Sequence, residues 1–515
     1  MKKLIIALAA VLFAAAAFAD TPFTPQNITI VSHAEPQPAE YVMVITGCDW
    51  GPAITKLVMN VGHNVLSDDI TPEDFEAAVT LNTVEKDSET LGFGLVTGSL
   101  DITDAYLCDG NGEPLPDDAS RYIALDIAAA PWLTDGDPFF HFPIAKDMSS
   151  VCGVRITSRQ LDFTINKRTA IVSPLAGQFT TAVFSDDYVS MNYAWWLPPP
   201  REANDDTEND TSASSDGVRD IPLIVWFHGM GEDGDNPYLP LFGTKSTNLI
   251  ADTVQRCFDD GAAVLIPQSP TNWLETTTKD IFGNRIWAPV DIKGFLNKAT
   301  QPIKNFFGKF FTTGNSSKTE EPKAAVSYYT IAIKGLLEQF LSEHPEIDRR
   351  RIYVGGCSAG GYMTINMCIQ APELFAAAFP VCGIYPDSKI TDKQIEELAK
   401  MPLWFTHARN DTTVRPETHS MATVARLRAV PARDLHYTLW DDVHDLTGTW
   451  KQLPEDDEDE QLDDDANNLL ENEYDHPRRE PYQYSGHYSW IYVLNNDCID
   501  NGVSLFEWLS MQRQE

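Results

Sequence analysis

The sequence predicts an α/β fold, a mostly parallel sheet flanked by helices, preceded by an all-β domain. Three observations carry this. From residue 221 onward, short apolar runs alternate with helical patterns. Between residues 20 and 165, short alternating runs are separated by turn residues. Between them in importance stands one stretch, 351–370, in which a buried strand turns sharply into a helix through Gly356-Cys357-Ser358-Ala359-Gly360.

The chain opens with Lys2 and Lys3, an apolar run over 4–18 and the small-residue site Ala17-Phe18-Ala19. This reads as a secretory signal peptide, 1–19, cleaved after Ala19, which implies a secreted or periplasmic protein. No later apolar run has the length of a membrane-spanning helix, so no membrane insertion is expected. The formal net charge of −37 over 515 residues disfavours nucleic acid and anionic membranes as partners. The 8 cysteines include no C-x-x-C pair, so neither a zinc ribbon nor a dithiol redox motif is indicated, and no metal or organic cofactor is expected. Cys357 and Cys368 lie at opposite ends of one expected helix, too far apart to pair.

In the β region, 20–165, strands are expected at 41–45, 53–59, 92–96, 102–107, 122–125 and 154–157. The run Asp109-Gly110-Asn111-Gly112 supplies a turn. Asp109, Asn111 and Glu113 alternate as calcium ligands do, but Pro114 stands where a calcium loop needs glycine, so a turn is the reading adopted.

The second domain, 166–515, begins with two strands, 179–184 and 189–197. Polar residues 201–219 form a surface excursion. Strands then follow at 223–227, 263–266, 352–355, 377–381, 403–406 and 436–439, with helices at 247–258, 325–343, 361–370, 416–428 and 503–512. Two insertions interrupt the alternation. One, 274–322, is locally basic and aromatic. The other, 445–485, carries 12 acidic and no basic residues between Glu455 and Asp475, and like-charge repulsion keeps such a run solvated.

The chemistry gathers around Ser358. A serine hydroxyl is a weak nucleophile unless held toward a base, and a tight glycine-flanked turn does this. His228-Gly229-Met230-Gly231 follows an early strand. A turn of this kind presents a backbone N–H to an oxyanion, paired with the N–H after the nucleophile; the donors are Met230 and Ala359. An acid is expected just past a strand end, and Asp411 fits, with Asp434, Asp441 and Asp442 as alternatives. The base should follow the acid in the chain. His407, His419 and His436 fall before or within expected elements, which leaves His444 and His487. Position favours His444, close behind its strand; if the acidic insertion loops out and returns, His487 reaches the same place. Pro267-Gln268-Ser269-Pro270 and Trp273 follow the second strand of this alternation, where loops shape a pocket.

Residues 221–515 resemble secreted α/β-hydrolase esterases related to polyhydroxybutyrate depolymerases, feruloyl esterases and predicted peptidases. The resemblance rests on the runs 226–232, 267–270, 348–354, 356–362, 372–375 and 407–414. It implies an α/β-hydrolase fold and an immunoglobulin-like N-terminal domain over 20–165. Relatives carry Gly-His-x-Ser-Trp ahead of a closing helix, and Gly486-His487-Tyr488-Ser489-Trp490 matches this, so the resemblance favours His487 as the base. The function implied is a serine carboxylic ester hydrolase with a Ser358–His487–Asp411 triad, acting on a small-molecule or polymer-linked ester. A serine peptidase of the same fold, or a secreted binding protein with an inactive hydrolase domain, are the alternatives.

Overall fold

The computed structural model describes residues 29–86, 91–116, 119–133, 153–186, 189–200, 220–274, 328–452 and 480–515. The expected leader, the excursion at 201–219, nearly all of the 274–322 insertion and the acidic run 453–479 lie outside the described residues. The chain divides into two compact units, Met1–Thr46 with Pro52–Gly177, and Gly47–Gly51 with Gln178–Glu515.

The first unit is all β. Its strands are β1 (Ile30–Val31), β2 (Glu40–Cys48), β3 (Gly51–Leu66), β4 (Phe75–Lys86), β5 (Leu91–Leu100), β6 (Ile102–Cys108), β7 (Ala119–Ile127), β8 (Val154–Ser158), β9 (Phe163–Ile165) and β10 (Arg168–Val172). They form a six-stranded sheet, β1-β10-β2-β3-β7-β6, and a four-stranded sheet, β5-β4-β8-β9. Alternation drives the burial: in β8, Val154 and Ile156 face in while Arg155 faces out. The Val154 N–H donates to the Tyr41 hydroxyl across the two sheets at 2.8 Å. Asp109 closes its own turn, its Oδ1 accepting from the N–H groups of Asn111 (2.8 Å) and Glu113 (3.0 Å). The unit runs to Gly177 rather than ending at residue 165, because β10 pairs with β1 and β2 inside its larger sheet. That strand begins Arg168-Thr169-Ala170 and shows too little apolar alternation to be read from sequence.

The second unit is built on an eight-stranded sheet. Its strands are β11 (Thr180–Ser185), β12 (Ser190–Trp196), β13 (Ile221–Phe227), β14 (Ala263–Gln268), β15 (Ile347–Cys357), β16 (Ala377–Val381), β17 (Leu403–Ala408) and β18 (Leu435–Trp440), in the order β11-β12-β14-β13-β15-β16-β17-β18. The pairs β11–β12 and β12–β14 are antiparallel, and from β14 to β18 every pair is parallel. Strands β13, β14, β16 and β17 are buried at every position, as a sheet covered on both faces requires.

The helices are α1 (Leu239–Phe242), α2 (Asp252–Gln255), α3 (Tyr328–Glu343), α4 (Ala359–Gln370), α5 (Asp392–Leu398), α6 (Ser420–Arg428), α7 (Trp490–Leu494) and α8 (Leu505–Ser510). Leu336, Phe340, Met363 and Met367 from α3 and α4 share one buried cluster with Leu223, Val225 and Val354 from the sheet. The helix expected at 247–258 is broken at Ala251, which is extended. The Gln255 side chain fills the break, donating to the carbonyls of Leu249 and Ala262 and accepting from the Ala262 N–H. The last helix starts at Leu505 and not at 503, since Ser504 caps it and accepts from the Glu507 N–H. Helix α5 was not expected, although Thr391 and Gln394 form a capping box at its start.

Two short strands, β19 (Lys451–Gln452) and β20 (Glu480–Pro481), pair antiparallel and close the base of the acidic run. Just inside them Tyr482 N–H donates to Trp450 O, Asp445 N–H to Tyr482 O and Tyr484 N–H to Val443 O. The chain therefore returns beside its point of departure, only a few residues before His487.

Candidate active site

Ser358 sits between β15 and α4 with φ 56° and ψ −114°, a conformation that a residue with a Cβ rarely adopts. The turn is held on both sides: the Ser358 N–H donates to Val381 O at 3.0 Å, and its carbonyl accepts from Ile384 N–H at 3.1 Å. A Cβ on Gly356 or Gly360 would collide with the Phe227 carbonyl, so this close crossing of β13 admits only glycine. Cys357 points inward and is fully buried beneath Gly229. Burial pushes its thiol well above its ordinary value, which leaves it a packing group and not a competing nucleophile.

Asp411 follows the end of β17 and is almost fully buried. Its Oδ1 accepts from the Thr413 and Val414 N–H groups, each at 2.8 Å. Its Oδ2 lies 2.7 Å from His487 Nδ1 and 3.0 Å from His407 Nε2. Burial alone would raise this carboxyl; the hydrogen bonds from His407 and His487 outweigh it and hold Asp411 well below the usual carboxylate range. The carboxylate thus accepts from His487 Nδ1–H, and His487 Nε2 is left to accept from the Ser358 hydroxyl 2.9 Å away. His487 is carried on a 3-10 turn, Gly486–Tyr488. A Cβ on Gly486 would collide with Asn410, so glycine lets this turn lie against the residue next to Asp411. The Trp490 ring stands edge-on to the imidazole at 5.6 Å.

The turn after β13 is braced from two sides. His228 Nε2 accepts from the Ser269 N–H at 3.1 Å, so its Nδ1 carries the proton and donates to Gly229 O at 2.7 Å. The Trp273 ring N–H donates to His228 O at 2.9 Å. On the other side the buried Glu232 carboxyl accepts from Gly229 N–H at 2.7 Å, and Gln268 donates to the carbonyls of Glu232 and Asn236. The Gly231 N–H is taken by Asp233. Met230, between these anchored glycines, is exposed. Ala359 is the first residue of α4, where a backbone N–H has no partner within the helix.

The structure therefore brings Ser358, His487 and Asp411 into hydrogen-bonded sequence. His444 stands elsewhere: its Nδ1 lies 2.6 Å from Asp442 and its N–H donates to the Tyr492 hydroxyl. Asp434 accepts from the Trp508 ring N–H, and Asp441 pairs with Arg409. Gln268, Ser269 and Trp273, which follow a strand whose loop could shape a pocket or simply pack, brace the His228–Glu232 turn. The residue that sequence reasoning missed is His407, set aside because it precedes the expected acid in the chain. Its signal was a histidine just after the apolar run Leu403-Trp404-Phe405, where a buried polar ring needs a partner. Among the described residues no group of three or more His, Cys, Asp or Glu side chains is arranged to hold a metal ion. No helix there is long and apolar enough to cross a membrane.

Residues 40–172 match the family described as the esterase Ig-like N-terminal domain, and residues 335–392 match the prolyl oligopeptidase family. A thermostable esterase of known crystal structure shares the fold, with a TM-score of 0.58 at 19% identity over 92% of this chain and 100% of that one. A ferulic acid esterase aligns at a TM-score of 0.32 and 12% identity, over 52% of this chain and 91% of its own. An acylaminoacyl peptidase from Pyrococcus horikoshii aligns at 0.28 and 16%, over 51% and 36%. The last two are too distant to bear on function. No curated protein matches the chain. The family models matched are those of hydrolases, and the chain shares its fold with an esterase. The chain has an α/β-hydrolase fold and an immunoglobulin-like N-terminal domain.

Proposed function

We propose that the protein is an exported carboxylic ester hydrolase that works through an acyl-enzyme on Ser358. The observation that carries this reading is the unbroken run Ser358 Oγ to His487 Nε2 (2.9 Å) and His487 Nδ1 to Asp411 Oδ2 (2.7 Å). Ser358 Oγ attacks the ester carbonyl as its proton passes to His487 Nε2. Asp411 holds the ring in the tautomer that can accept and stabilises the imidazolium. The N–H groups of Met230 and Ala359 receive the oxyanion, each such donor contributing about 3 kcal/mol in the transition state. His487 then protonates the leaving alcohol, and water, deprotonated by the same ring, releases the acid and restores Ser358.

A peptidase reading draws on the match of residues 335–392 to the prolyl oligopeptidase family. Turnover of p-nitrophenyl butyrate against peptidyl p-nitroanilides separates the two. An ester preference that vanishes in Ser358→Ala supports the esterase reading; preferential amide cleavage by the same serine overturns it.

A further inference from the structure

His407 is fully buried near the C-terminal end of β17, and it touches the central carboxylate of the site. Its Nε2 lies 3.0 Å from Asp411 Oδ2 and 2.9 Å from Val414 O. An ionised carboxylate and a carbonyl only accept, so Nε2 carries the proton and donates to both. Its Nδ1 lies 2.8 Å from Ser420 Oγ on α6, and that hydroxyl lies 3.1 Å from the Tyr437 hydroxyl on β18. The ring is thus fixed at both nitrogens.

We infer that His407 is a positioning residue of the triad, sharing Asp411 Oδ2 with His487 so that it fixes the carboxylate and limits its pull on the His487 proton. The inference rests on the proposed role of His487 as base. Oδ1 is already held by two backbone N–H groups, so His407 is the only side chain besides His487 that donates to this carboxylate among the described residues. A second donor on Oδ2 withdraws charge from the oxygen that stabilises the His487 imidazolium. A base tuned this way gives up its proton to the leaving group more readily. The titratable groups facing this arrangement are the Cys382 thiol, after β16, and Tyr437, which stands behind Ser420.

The test compares His407→Leu, which removes the donor, with His407→Gln, which keeps an N–H in reach of Oδ2. For p-nitrophenyl butyrate, His407→Leu should lower kcat about tenfold with KM within about twofold, since a hydrogen bond to a charged group is being lost. The acid limb of its kcat/KM profile should move to higher pH. His407→Gln should stay within about threefold of the parent, with its limb in place. In parallel, NMR titration of the His487 imidazole should show the same upward displacement in His407→Leu, without any turnover. Equal losses in both variants with an unmoved limb and unmoved His487 titration would overturn the inference, reducing His407 to packing. If the parent hydrolyses no ester but the His487 titration still moves, the proposed activity fails while the positioning role stands.

Discussion

Glu232 provides the sharpest physical test of how the turn beside Ser358 is held. Its carboxyl is buried and accepts from Gly229 N–H. Burial raises it from its ordinary value of 4.5 to about 8, against the hydrogen bond from Gly229 and with help from Asp233. The folded state therefore binds a proton that the unfolded chain has released. Its contribution to stability is fully present below pH 4.5, declines as pH rises toward about 8, and is constant beyond. The slope is about 1.4 kcal/mol per pH unit, which over this window reaches an upper bound of about 5 kcal/mol. Glu232→Gln keeps an oxygen for Gly229 N–H and carries no charge. Unfolding by urea, followed by tryptophan fluorescence at intervals from pH 5 to 9, gives the stability difference between variant and parent. The subtraction removes the background of the other acidic groups. Glu232→Gln should sit near the parent at pH 5 and gain steadily up to pH 8. A difference that does not change with pH would refute the assignment of a protonated carboxyl to this turn.

Three further outcomes follow from the same geometry. His487→Ala should lower kcat for p-nitrophenyl butyrate by at least about a thousandfold. His444→Ala should keep it within about threefold, because that ring is engaged with Asp442 away from Ser358. Gly360→Ala places a Cβ against the Phe227 carbonyl and should cost roughly 2 kcal/mol or more in stability, read as a lowered urea midpoint, with activity lost even where the variant folds.

The catalytic half was largely legible because its parallel strands are continuous apolar runs and its turn carries glycines that no other residue could replace. Ser358 and Asp411 were readable from their places at strand ends. His487 was ambiguous for a physical reason: a run of like charges separates it from β18, so position alone favours His444 and only the resemblance favours His487. The antiparallel pairing of Lys451 with Pro481 and Gln452 with Glu480 removes that separation in space. Strand β10 escaped notice because its first residues are polar and basic, and the domain limit was drawn too early in consequence. The bracing roles of His228, Gln268 and Ser269 are carried by ring-nitrogen and amide contacts between distant segments, which no local pattern records. His407 was hidden differently, its strand position concealing that its ring turns back toward Asp411.

The most direct test is to treat the protein with a fluorophosphonate, weigh the intact chain, and map the modified peptide. A single adduct on Ser358, blocked by a competing ester and absent from Ser358→Ala, is the expected result. An unmodified chain, or an adduct on another residue that persists in Ser358→Ala, would contradict the assignment of Ser358 as the nucleophile.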